Sequence, residues 1–129
     1  MSKGKKIVFW VVTLWLSLGM VATGIVQLIQ TNEEKSKMIE LGIPNYIFAL
    51  IGIWKIIGVA VILIPKCALI KEWAYAGFFF LMSGATVIHL INGSYSELFG
   101  PILLLVLTIS SWLLRPESRK LHQLKQATL

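Results

Sequence analysis

The chain has 129 residues, enough for one domain with a fair-sized core, and 57% of them are hydrophobic against 14% charged. Its net charge of +6 lies at the ends of apolar blocks, with no basic patch interleaved with aromatics, which excludes nucleic acid as a partner. One cysteine, Cys67, excludes an intrachain disulfide and a CxxC redox pair.

Four apolar blocks run from Ile7 to Ile29, Tyr46 to Ile64, Trp73 to Ile91 and Leu98 to Leu114. A helix needs about 20 residues to cross the hydrocarbon and about 17 at the least, so all four qualify, the last by a small margin. None alternates with period two, so the backbone must be satisfied within helices and not in a barrel. The expectation is an all-α polytopic membrane protein, an antiparallel four-transmembrane-helix bundle forming one domain over residues 1–129.

In the first block, Lys3, Lys5 and Lys6 precede an apolar run, as in a signal peptide. The run exceeds the usual apolar region of about 7 to 15 residues and VATG is an indifferent cleavage site, so the block reads as a retained helix. Between the first two blocks, Gln30 to Asn45 reads as a solvated linker; the alternative is a short interfacial helix across EEKSKMIEL, ended by Gly42 and Pro44.

Basic residues orient the path. Lys3, Lys5, Lys6, Lys66, Lys71, Arg115, Arg119, Lys120 and Lys125 fall on one side, and Lys35 and Lys37 on the other with Glu33, Glu34 and Glu40. The positive-inside rule then places both termini in the cytoplasm.

In the second block, IGIWKIIGVAVILIP holds Lys55 near the midplane. An ammonium there costs about 2.5 to 3.5 kcal/mol on insertion scales, so Lys55 is expected to face the bundle interior, with Glu72 and His89 the nearest ionisable candidates in depth. Snorkelling into the interface is the alternative, but the side chain spans only part of the roughly 15 Å required. Pro65 ends the block. Gly52 and Gly58 here, Gly19 and Thr23 in the first block, and Gly77 and Gly84 in the third are small residues that permit close helix approach; the last two share a face and mark a candidate seam.

The third block opens with KEWAYAG. Lys71 marks the membrane boundary, Glu72 suits a helix N-terminus, and Trp73 and Tyr75, like Tyr46 and Tyr95 at the other face, fit interfacial anchors. Further along, Thr86, His89 and Asn92 are spaced one turn apart on one stripe. His89 is either hydrogen-bonded across the bundle or a proton-handling or ligand-binding group. Gln27 reaches a similar depth on the first helix, and Lys55 lies about 10 Å deeper, so convergent polar faces would form a pocket open to the exterior and narrowing toward Lys55. Trp10, Trp15 and Trp54 either line that cavity or pack the core. The candidate ligand-binding residues are Lys55, His89, Trp54, Thr86, Gln27 and Asn92; Glu72, Gly77, Gly84 and Pro65 are structural candidates. Metal ligation lacks convergent donors, and neither a phosphate-binding glycine loop nor a GxSxG elbow occurs.

The stretches LGIPNYIFALIGIWKIIGVAVILIP, LIKEWAYAGFFFLMSGATVIHLINGS and SSWLLRPESRKL together resemble the DoxX-like family of small bacterial membrane proteins. The resemblance covers almost the whole chain. It implies four transmembrane helices and singles out Lys55, Glu72 and His89 among its recurrent positions, without naming a reaction. Relatives include quinone-linked oxidoreductase subunits, so a quinone is the cofactor candidate that the resemblance suggests. The functional expectation is a membrane protein that binds a small amphipathic ligand or a partner membrane subunit without catalysis of its own, among membrane lipids and with a homo-oligomer as a further candidate assembly. The alternatives are a quinone-linked oxidoreductase subunit and a proton-coupled or small-solute transporter.

Overall fold

Apolar stretches of this length can satisfy their own backbone in hydrocarbon only as helices, and the computed structural model, which describes residues 2–120, is all-helical with no strand among the described residues. Lys125 lies outside them. Helix α1 spans Lys3–Ile29, α2 Asn32–Leu41, α3 Asn45–Leu63, α4 Ala68–Ile91 and α5 Phe99–Leu114, with 3-10 turns at Tyr95–Glu97 and Glu117–Arg119. Four stretches are long and apolar enough to cross a membrane: Lys3–Ile29, Asn45–Leu63, Ala68–Ile91 and Tyr95–Leu114. The 3-10 turn thus lengthens the short last helix to 20 residues.

The segment expected as a linker is the helix α2. Thr31 caps it by accepting from the Glu34 N–H at 3.3 Å, with Glu33 and Glu34 placed in the first turn where the helix dipole favours them. Gly42 ends it in the left-handed region at φ +70°, while the Gly42 and Ile43 N–H groups close onto the Ile39 and Met38 carbonyls at 3.2 and 3.0 Å. The Thr31-x-x-Glu34 pair was the signal in the sequence; a weak apolar stripe obscured it.

The four long helices form a ring in which α1 and α4 each pack against both α3 and α5. Leu16 and Met20 of α1, Val59 and Ile62 of α3, Tyr75, Phe78 and Met82 of α4, and Leu104 and Leu107 of α5 make one core cluster. A close helix approach joins α1 to α3: a Cβ built on Gly52 would lie 2.6 Å from the Gly24 carbonyl oxygen. Gly77 and Gly84 make no such seam, since a Cβ on either meets nothing within 4 Å.

At the end of the bundle carrying both described chain ends, α3 stops because Pro65 forces Ile64 into extended geometry, φ −68° and ψ 151°. Its last carbonyls are held by cations from elsewhere. The Lys71 ammonium donates to the Val61 carbonyl at 2.7 Å and to that of Ile64, and the Arg119 guanidinium donates to Ile62 at 2.8 Å and to Leu63 and Ile64 at 3.3 Å. Helix C-termini leave such carbonyls open and carry partial negative charge, so both cations are well placed. Lys71, expected at the membrane boundary, is therefore buried at 2% exposure, because α4 begins at Ala68 and folds back under α3. Arg119 also lies 4.7 Å from the centre of the Trp10 ring.

Glu72 sits one turn inside α4 and not at its N-terminus. Its carboxylate pairs with Arg115 at 3.0 Å and accepts from the Trp112 indole at 2.8 Å, so it joins α4 to α5 and is not the partner of Lys55. Tyr75, expected as an interfacial anchor, is buried: its hydroxyl lies 2.8 Å from that of Ser111, itself 2.6 Å from that of Thr13. This hydroxyl chain links α4, α5 and α1.

Candidate functional site

The Gly24–Gly52 contact brings α1 and α3 close enough for Lys55, one turn after Gly52, to reach across. Lys55 is buried at 5% exposure, and its ammonium donates to the Thr23 hydroxyl at 3.0 Å. Thr23 spends its own proton on the Gly19 carbonyl at 2.8 Å and the Met20 carbonyl at 3.3 Å, leaving its lone pairs for the lysine. A charged lysine has three protons, so two remain for other partners.

Lys55 lines a cavity of about 330 Å³ bounded by all five helices: Thr23 and Gln27 of α1, Glu34, Lys37 and Leu41 of α2, Phe48 of α3, Met82, Ala85 and His89 of α4, and Phe99, Gly100, Pro101 and Leu104 of α5, with Ser96 and Glu97 of the turn before it. A second lobe of about 240 Å³ shares Gln27, Phe48, Lys55, Met82 and His89 as walls. Two residues of those shared walls each carry a buried polar atom, Gln27 Oε1 and His89 Nδ1, with no hydrogen-bond partner among the described residues. Such atoms cost about 1–3 kcal/mol each when left unmatched, so a site with orphaned groups on two helices and a lysine on a third is suited to a polar guest.

Over the cavity lies α2. The Lys37 ammonium bridges Glu34 at 3.6 Å and Glu97 at 3.4 Å, while Asn92 donates to the Glu40 carbonyl at 3.3 Å and Ser94 to the Glu40 carboxylate at 3.1 Å. Burial of Lys37 works against its charge, but Glu34 and Glu97 together outweigh it and raise its pKa above 10.5. The latch is thus an ionic one at neutral pH.

Among the residues expected at the site, Lys55, His89 and Gln27 meet in one cavity. Thr86 does not join them, since its hydroxyl turns back to the Met82 carbonyl at 2.8 Å, and Asn92 holds α2 instead. Trp54 faces outward at 58% exposure and lines a groove between α3 and α4; Trp15 is 53% exposed, and Trp10 lies under Arg119. Gly84 lines the second lobe and Gly77 the outer groove. Glu34 and Lys37 are among the cavity residues that were not anticipated, because both belong to the helix read as a linker. Among the described residues, no group of three or more His, Cys, Asp or Glu side chains could hold a metal ion.

A family model, described as the DoxX-like family, matches residues 11–111. Comparison with curated proteins and with solved structures finds no match to the chain.

Proposed function

The chain belongs to the DoxX-like family, and from this premise and the geometry of the cavity we propose that it is a ligand-binding membrane protein. The ligand is a small amphipathic molecule held between Lys55, Gln27 and His89, and no catalysis is assigned to the chain itself. One observation carries the reading: two orphaned buried polar atoms and a lysine with protons to spare, on three different helices, share walls of the same space. A guest with one hydrogen-bond acceptor for Lys55 and one donor for Gln27 or His89 would match them.

The excess of lysine and arginine at the end carrying both described chain ends supports insertion in the cytoplasmic membrane with that end inward. The cavity would then lie in the outer half of the bilayer. Against a solute pathway stands the apolar layer formed by Leu16, Met20, Phe78 and Leu107, all buried, beyond Lys55 toward the inner end. A quinone is the redox version of the same reading, with Lys55 donating to a carbonyl whose charge grows on reduction.

Mass spectrometry of protein extracted in mild detergent tests the proposal. Wild type is expected to carry a co-purifying small molecule that the Lys55→Met, His89→Ala double variant loses. Equal retention by the two proteins would remove the ligand site from these residues.

A further inference from the structure

The wall that Lys55, Phe80 and Leu81 give the second lobe also faces a groove on the outside of the bundle. Between α3 and α4 runs an apolar groove of about 710 Å³, flanked by Trp54 and Trp73, which are 58% and 69% exposed. Gly58 and Gly77 line it, and at Gly77 an added Cβ would meet nothing within 4 Å. The groove and the second lobe share three wall residues, Lys55, Phe80 and Leu81. The lobe in turn shares Lys55, Gln27 and His89 with the inner cavity. Lys55 therefore borders all three spaces, with its ammonium on Thr23 and its stem in the wall between lipid and interior.

We propose that this is a lateral entrance: the ligand is a single-tailed amphiphile that enters from the bilayer between α3 and α4, lays its tail in the groove past Gly77, and presents an acceptor oxygen to Lys55. The proposal rests on reading the Lys55 cavity as a ligand site and adds the route and the ligand class. Two features support it. On the opposite side, Glu34, Lys37 and Leu41 of α2 line the aqueous approach, and α2 is tied there through Lys37 to Glu97 and through Glu40 to Asn92 and Ser94. On the groove side, a tail leaves lipid for a surface equally apolar, so it moves at little cost, and the head exchanges its hydrogen bonds at the membrane interface for those of Lys55 and the cavity. The tail sets where the ligand waits; the head sets whether it stays. A carboxylate and a carbonyl share the required acceptor chemistry.

The test uses full-length protein with Cys67→Ser, in lipid nanodiscs, and two photoreactive probes of equal tail length: palmitic acid and a methyl ketone, each with a diazirine beside the head. Tail-less versions of both serve as controls. Saturable labelling of the α1 peptide containing Gln27 is expected from at least one tailed probe, and which one identifies the head. Gly77→Trp, with Gly77→Leu as a milder variant checked for monodisperse folding, is expected to cut that labelling by at least about fivefold. Bridging Glu40→Cys to Ser94→Cys, which tie α2 down from outside the cavity wall, with a bifunctional thiol reagent is expected to leave it unchanged. Labelling that survives Gly77→Trp but vanishes when α2 is bridged would overturn lateral entry while keeping the cavity as a ligand site. Equal labelling by tailed and tail-less probes would overturn the assigned ligand class. Absence of saturable inner-wall labelling by every probe in wild type would overturn the proposal together with the reading on which it rests.

Discussion

The Lys55 ammonium on α3 and the Thr23 hydroxyl on α1 are hydrogen-bonded at 3.0 Å, and they meet because the same two helices touch through Gly52 and Gly24 one turn away. A lysine in the middle of a stretch long and apolar enough to cross a membrane is held by a neutral partner and a close backbone crossing, without a carboxylate in direct contact among the described residues.

Gly52→Ala should separate that pair. Its new methyl would lie 2.6 Å from a backbone oxygen that cannot swing aside, so α1 and α3 must part, at a cost of about 1–3 kcal/mol. Gly77→Ala, with open space around it, should be neutral or gain up to about 1 kcal/mol from helix propensity. Thermal unfolding in detergent compares the two; equal melting temperatures would contradict the crossing.

Lys71→Met should lower stability by about 1–3 kcal/mol, because it strips the donor from the Val61 carbonyl while burying the end of α3. Arg119→Ala should cost a similar amount through Ile62 and Leu63 and the lost contact with Trp10. Since both cations serve Ile64, the double variant should depart from additivity, which a double-mutant cycle of unfolding free energies measures.

Ser111→Ala should be worse than Tyr75→Phe. Ser111 joins two hydroxyls, so its loss leaves both Thr13 and Tyr75 without that partner, whereas Tyr75→Phe removes one bond. Interhelical hydrogen bonds in membranes average about 0.6 kcal/mol, so the expected losses are roughly 1–2 and 0.5–1 kcal/mol. Melting in the same detergent ranks them.

Lys37→Met should release α2 and leave the bundle intact. Faster amide hydrogen exchange is expected over Asn32–Leu41, with little change in the four long helices, as read by mass spectrometry. The sign with pH follows from the raised pKa: the ammonium's contribution is complete below 10.5 and is lost as pH rises through the higher folded value. On the alkaline side, wild-type α2 should therefore lose its protection relative to the variant as pH rises into strong alkali, after correction for the intrinsic rate.

The positions of the four long helices and the inward face of Lys55 were legible in the sequence, because hydrocarbon penalises open backbone and bare charge wherever they occur. Trp54 shows where that legibility stops: one residue from Lys55, it is turned about 100° around the helix and faces lipid. Lys71 and Lys66 look alike in the chain, yet Lys71 is buried and Lys66 exposed, since only Lys71 meets the carbonyl end of another helix. Gly24 and Gly52 could not be told from Gly77 and Gly84, because composition records a missing side chain and not what approaches it. Glu34 and Lys37 were assigned to solvent for want of an apolar stripe, although the cap at Thr31 starts a helix that carries them over the cavity.

The hold of Arg119 on α3 has a consequence for biogenesis. Residue 119 is synthesised 57 positions after Ile62, so when α3 leaves the ribosome half of the grip on its final carbonyls does not yet exist. Lys71, only seven positions beyond Ile64, arrives early and can secure the α3–α4 hairpin during insertion. Arg119 arrives after α5 and closes the ring by binding α3 and Trp10 at once, so completion of the bundle is registered by a residue of the emerging tail.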